Sequence, residues 1–388
     1  MKIVGFILGL LLFTAGCQLQ ATECLVGAAQ IEEYLSLLHG KRVGITANHS
    51  SLVGNKHLVD VLLEQGINIR CIYSPEHGFR GTADAGAHIA SGKDPVTGIP
   101  IVSLYGKNRK PTPEQLQNID YMLFDLQDVG LRFFTYLSTL HYVMEACAEQ
   151  GIPLLLLDRP NPNGFYVDGP VLEPKYRSFV GMHPIPVVHG MTLGELAQMI
   201  NGEQWLNKGI QCTITIIPCK HYTHQTLYRL PVKPSPNLPN MQAVYLYASL
   251  CFFEGTAISL GRGTEFPFQV FGHPDFKTAY SFSFTPKAVE GASNPPLKDK
   301  LCYGVDLRNY PESDFVSSPH IRLEWLLEAY KNFKNKEQFF TPYFTTLWGT
   351  AKIQKMITAG MTASQISRSW QEDVEKFLIL RKKYLIYE

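Results

Sequence analysis

Most of the signatures that assign a chain on sight are missing from these 388 residues. No G-x-G-x-x-G follows the first strand-like run, and no G-x-x-x-x-G-K-[ST] occurs anywhere. A dinucleotide site and a phosphate-cradling loop are therefore disfavoured. There is no G-x-S-x-G, which argues against a nucleophile-elbow hydrolase. The absence of any C-x-x-C pair argues against a structural zinc site. Charge of either sign is not in excess: 35 basic residues stand against 34 acidic ones, so nothing suggests nucleic acid as a partner. Internal repeats and low-complexity segments are lacking too. The apolar run at residues 3–13 is too short to span a bilayer as a stable helix.

That run, preceded by Lys2 and followed by small residues, reads instead as a secretory signal within residues 1–22. Its end, Thr14-Ala15-Gly16-Cys17, resembles a lipoprotein signal. There Cys17 would be lipidated and would anchor the chain to a membrane; cleavage after a small residue such as Ala21 would give a soluble exported protein. Either way the expected location is periplasmic or at a membrane surface. Eight cysteines are present, seven without Cys17, and an odd, scattered set does not look like a disulfide framework. They read as small apolar core residues.

From residue 42 onward the chain alternates. Strand-like runs occupy residues 42–48, 69–74, 99–106, 121–128, 152–158 and 212–218. Between them lie runs of helical spacing, two opened by the capping boxes Thr112–Gln115 and Thr192–Glu195. This rhythm predicts an α/β fold: a Rossmann-like, doubly wound parallel sheet with helices on both faces. The proline-rich stretch 231–240 is a stiff connection. It places an N-terminal domain at residues 23–245 and a smaller α+β domain at 246–388. A third capping box at Thr362–Gln365 predicts a long helix carrying Ile366, Trp370, Val374, Phe377 and Leu378.

Ligands of such sheets sit outside the carboxyl ends of the strands. There the sequence puts Asn48, then Glu76 and His77 with Arg80, then Asp125, Asp128 and Arg132, then Asp158 and Arg159. Such convergence of ionisable groups suggests carboxylate chemistry. Glycoside hydrolysis needs one carboxylic acid to protonate the leaving oxygen and a second group to act as nucleophile or to activate water. Glu76, beside Tyr73 and Phe79, is the leading acid. Asp125, Asp128 and Glu254 compete for the second role, with Glu265 behind them, and Asp128 could instead cap the turn before Gly130. Arg132 and Arg262 are candidates to grip an anionic group. Phe133, Phe134 and Tyr136 could form a sugar platform, although core is the commoner use of such a cluster. His77, His88, His189, His221 and His224 lack a supporting ligand at a recognised metal spacing, so no metal and no cofactor are expected.

Taken together, "SPEHGFRG", "FDLQDVGLRFFTYLSTL", "LDRPNPNG", "DGPVLE", "SFVGMHPIPVVHGMTLGELA", "SPNLPN" and "FEGT…GRGT…PF" resemble the NamZ-type peptidoglycan exo-β-N-acetylmuramidases. The resemblance runs from about residue 40 to the C-terminal "RKKYLIYE". It implies a Rossmann-like domain, a smaller second domain and a cleft between them. It also implies release of terminal N-acetylmuramic acid from the non-reducing end of peptidoglycan fragments, with MurNAc-GlcNAc saccharides as partners. Glu76 takes the role of catalytic acid by that likeness, and Arg132 or Arg262 could pair with the lactyl carboxylate of muramic acid. One departure is Glu265-Phe266, where the pattern has Thr-Arg in "GRGTTRPF". Two other readings use the same cleft: a non-catalytic exported cell-wall sugar-binding lipoprotein, and a metal-dependent hydrolase.

Overall fold

The computed structural model describes residues 23–79 and 92–388; Cys17, Arg80 and His88 lie outside the described residues. After helix Ile31–Leu38 come β1 (Arg42–Ala47), a small hairpin of β2 (Leu52–Val53) and β3 (Lys56–His57), helix Leu58–Glu64 and then β4 (Asn68–Ser74). There follow β5 (Gly92–Lys93), β6 (Pro100–Ser103), β7 (Tyr121–Asp125), β8 (Leu154–Leu157) and β9 (Ile214–Ile217). Seven of these form one sheet in the order β5-β6-β4-β1-β7-β8-β9. All neighbours are parallel except β5, an antiparallel edge strand that the sequence pattern does not announce. Ignoring β5, the parallel strands run third-second-first-fourth-fifth-sixth, the doubly wound order with its reversal between β1 and β7.

The strands carry apolar residues on both faces because helices cover both. Alternate side chains of one strand enter different cores: Met122 and Phe124 of β7 pack into one, Leu123 into the other. Leu154 and Leu156 of β8 likewise face away from Leu155 and Leu157. Tyr34, Leu38, Leu58 and Leu62, from helices Ile31–Leu38 and Leu58–Glu64, close the second core. Helices Tyr136–Gln150 and Leu193–Gly202 close the first. Both sequence-read capping boxes in this unit form, at Thr112 and Thr192.

Beyond helix Met241–Leu250 comes a second, mixed unit with a three-stranded antiparallel sheet, β10 (Val270–His273), β12 (Cys302–Asp306) and β11 (Phe282–Phe284), in that spatial order. Its core is continuous with that of the first unit. Phe133 meets Tyr247 and Phe252 edge-on at 5.0 and 5.6 Å between ring centroids, and Phe252 stacks on Trp348. The long helix expected after Thr362 is two helices, Ala363–Arg368 and Gln371–Arg381. The break falls at Trp370, whose buried indole N–H donates to Asp168 Oδ1 at 2.8 Å. The final residues return to the first unit: the Tyr387 hydroxyl donates to Asp158 Oδ2, and the Ile386 N–H to Glu195 Oε1.

Candidate active site

Much of the polarity at the strand ends is turned inward. At the reversal point Arg159 forms a buried ion pair with Asp125 and donates a further bond to the Leu52 carbonyl. Asn48 accepts from Ser50, and Ser51 donates to the Asp125 carbonyl. Asp158 takes bonds from Thr192 Oγ1, Gly194 N and Tyr387 Oη. Burial pushes its carboxyl up to about 6, against those three donors. These groups tie the loops over the sheet to one another, since a buried polar group without a partner is costly. The crevice at the strand-order reversal is thus filled by the chain itself.

Arg132 is a correction to the sequence reading. It is only 1% exposed, and its guanidinium donates to the carbonyls of Pro170, Ile185, Leu347 and Trp348 at 2.7–3.1 Å. Burial lowers its pKa to about 9. It joins the two units and does not reach an open surface. Asp128 has the capping role left open for it: its Oδ1 accepts from Gly130 N at 2.6 Å, while Oδ2 is buried with no partner among the described residues. Gly130 sits at φ 80°, and a Cβ there would overlap the Asn161 side chain, so only glycine fits the turn. Burial pushes Asp128 up to about 7, although the Gly130 and Val129 N–H groups oppose this. Glu265 is exposed on the second unit, away from the cavity wall.

The open site lies beside the reversal point, over β4, β6 and β7, where the second unit overhangs the sheet. A cavity of about 460 Å³ is walled by Glu76, His77, Tyr105, Arg109 and residues 133–136 from the first unit. Tyr247, Cys251, Glu254, Arg262, Phe268 and Tyr343 wall it from the second. Of the residues singled out from sequence, Glu76, His77, Glu254 and Arg262 meet there, together with all three aromatics of the 133–136 cluster. Those aromatics are also buried, so core and cavity lining are one role here.

Local geometry presents Glu76. β4 ends at Ser74, and Pro75 opens a tight turn closed by Gly78 N–H to Pro75 O at 3.1 Å. His77 occupies the left-handed region at φ 69°, which costs a non-glycine residue on the order of 1 kcal/mol and concentrates at working sites. The Glu76 Oε2 accepts the Thr135 hydroxyl at 2.8 Å. The Tyr105 phenol is raised well above its usual range by burial and by the neighbouring Glu76 carboxyl. Tyr136 is raised likewise by burial, then by Glu76 and Asp128. Asn48 contributes indirectly by donating to the Tyr136 hydroxyl at 2.7 Å.

On the facing wall Arg262 pairs with Glu254 at 2.7–2.8 Å and lies over the Phe268 ring. Burial alone would lower the Arg262 pKa; Glu254 outweighs it and raises it. Tyr343 lines the same wall, and its phenol is raised by partial burial and then by the nearby Glu254, Cys251 and Glu76. The site therefore offers two carboxyl groups from different units, phenolic and hydroxyl donors, and ring faces suited to a pyranose. Sequence reasoning missed Tyr105, Arg109, Thr135 and Tyr343. Tyr105 and Arg109 follow a strand end as Glu76 does and could have been found by the same rule. Tyr343 carries no local signal.

The family model described as "Exo-beta-N-acetylmuramidase NamZ, N-terminal" matches residues 43–242, and its C-terminal counterpart matches residues 245–387. The chain is 40% identical over 375 residues to the peptidoglycan beta-N-acetylmuramidase NamZ of Bacillus subtilis (strain 168), covering 92% of this chain and 89% of that protein. Two crystal structures of DUF1343 family proteins from Bacteroides fragilis NCTC 9343 share the fold. One is 51% identical with a TM-score of 0.88, covering 95% of this chain and 99% of the other. The second is 29% identical with a TM-score of 0.77, covering 94% and 99%.

Proposed function

The chain belongs to the exo-beta-N-acetylmuramidase NamZ family, and on that footing we propose that it is a glycosidase releasing terminal N-acetylmuramic acid from the non-reducing end of peptidoglycan fragments. The observation that carries this reading is the meeting of Glu76 and Glu254, from separate units, across one aromatic-lined cavity of sugar size. Glu76 gives a proton to the glycosidic oxygen as the anomeric C–O bond breaks; water adds at that carbon and surrenders a proton. Glu254, held by Arg262, faces the cationic sugar from the other wall and stabilises it or receives water's proton. Thr135 and Tyr105 orient the Glu76 carboxyl. Walls contributed by both units suit a chain end better than the middle of a glycan.

Release of N-acetylmuramic acid from a chromogenic β-muramide tests the proposal, with Glu76→Gln and Glu254→Gln as controls for the site. No release by the wild-type protein from the muramide or from MurNAc-GlcNAc would refute it. The signal-like residues before Cys24 support an exported setting, either periplasmic or tethered through Cys17. Incorporation of labelled palmitate, lost in Cys17→Ser, separates those two arrangements.

A further inference from the structure

Resting on the muramidase reading, we infer that Arg109 is the specificity residue that recognises the lactyl carboxylate, the group by which muramic acid differs from N-acetylglucosamine. Two guanidinium groups reach the cavity wall among the described residues, and their situations are opposite. Arg262 is already neutralised by Glu254 at 2.7 Å. Among the described residues Arg109 has no carboxylate partner: its Nε donates to the Gly106 carbonyl at 3.1 Å, and its carbon centre lies 4.6 Å over the Phe179 ring. Those two contacts hold the plane of the guanidinium and leave both terminal nitrogens for a ligand. Such a pre-set fork matches a carboxylate in bidentate fashion, and an arginine already resting on a ring loses less freedom when it binds.

Its position fits as well. Arg109 follows β6 on the same wall as Tyr105, whose phenol neighbours the Glu76 carboxyl. A sugar with its glycosidic oxygen toward Glu76 therefore presents its other ring substituents along this wall. Among the described residues nearby, Lys110 is neutralised by Glu145 and Glu149, and Arg177 is held by His141 and the Met182 sulfur. Arg109 is itself exposed at the cavity's edge. It can thus meet the carboxylate at entry, and its contribution should weaken with salt.

The test compares wild type, Arg109→Met, Arg109→Lys and Arg262→Met on 4-nitrophenyl β-muramide and on the same glycoside with its lactyl carboxyl converted to the methylamide. Wild type should favour the free acid by about tenfold in kcat/KM, mainly through KM. Arg109→Met should lose that factor on the acid and none on the amide; Arg109→Lys should restore part of it. Added salt should lower wild-type activity on the acid and leave the variant unaffected. Equal losses on both glycosides, or a preference abolished by Arg262→Met and kept by Arg109→Met, would overturn the assignment. Calorimetry with free N-acetylmuramic acid and N-acetylglucosamine runs beside turnover. An Arg109-dependent preference without turnover would sink the glycosidase reading and leave this one standing; turnover without such a preference would do the reverse.

Discussion

Thr135 stands at the head of helix Tyr136–Gln150, yet its hydroxyl donates to Glu76 Oε2 at 2.8 Å and makes no cap for its own helix. A residue placed where side chains commonly satisfy backbone N–H groups has been turned toward a carboxyl 59 residues earlier in the chain. Glu76→Gln keeps the volume and can still accept that bond. It should lower kcat on an aryl muramide by about 10³-fold, within the range for a lost general acid, with thermal midpoint and circular dichroism unchanged. Thr135→Val should cost about tenfold. Turnover of Glu76→Gln within a factor of five of wild type would remove Glu76 from the chemistry.

Asp128 makes folding sensitive to pH. Burial raises its folded pKa to about 7 from an ordinary value of 3.8. Between those limits the folded chain keeps a proton that the unfolded chain has released, so this carboxyl's contribution to stability falls as pH rises and is fully lost above 7. At 1.36 kcal/mol per unit the loss is about 4 kcal/mol at most. Asp128→Asn retains an acceptor for Gly130 N–H and removes the titration. Urea midpoints at pH 4.5, 6 and 8 should show the variant gaining on wild type as pH rises; a constant difference would exclude Asp128 as the source.

Arg132 should matter to stability and not to substrate affinity. Arg132→Met leaves four buried carbonyl oxygens without their donor. The loss is expected to be about 3–5 kcal/mol in denaturant unfolding. Protein that remains folded should show a wild-type KM. A raised KM with normal unfolding would restore the substrate-gripping role read from sequence.

At the carboxyl terminus, Tyr387→Phe deletes one of three donors to the buried Asp158. Stability should fall by about 1–3 kcal/mol at neutral pH. The deficit should shrink toward pH 4.5, since Asp158, raised to about 6, is protonated there and needs less help. A deficit that grows on acidification would contradict this account.

The alternating architecture was readable because period and capping are local properties. Runs such as "LLLL" in β8 and the box at Thr192 declare strand and helix without reference to anything distant. The site was half readable for the same reason. Glu76 and His77 advertise themselves by their place at a strand end. So do Asp125, Asp158 and Arg159, and nothing local separates groups that face a cavity from groups that bind one another. Their partners lie far along the chain: Asp158 meets Tyr387 and Arg159 meets Asp125. Arg132 looked like an anion grip because its acceptors are backbone carbonyls, which leave no trace in side-chain composition. The break at Trp370 is of the same kind, a tertiary bond to Asp168 overriding a helical pattern.

With Arg132 holding carbonyls of both halves and Phe133 wedged between Tyr247 and Phe252, the halves cannot swing apart without tearing a close-packed interior. A glycan must thread in through a standing doorway, and the spent sugar must back out the same way. Throughput on crude wall material is then set by how often a loose tip finds that entrance.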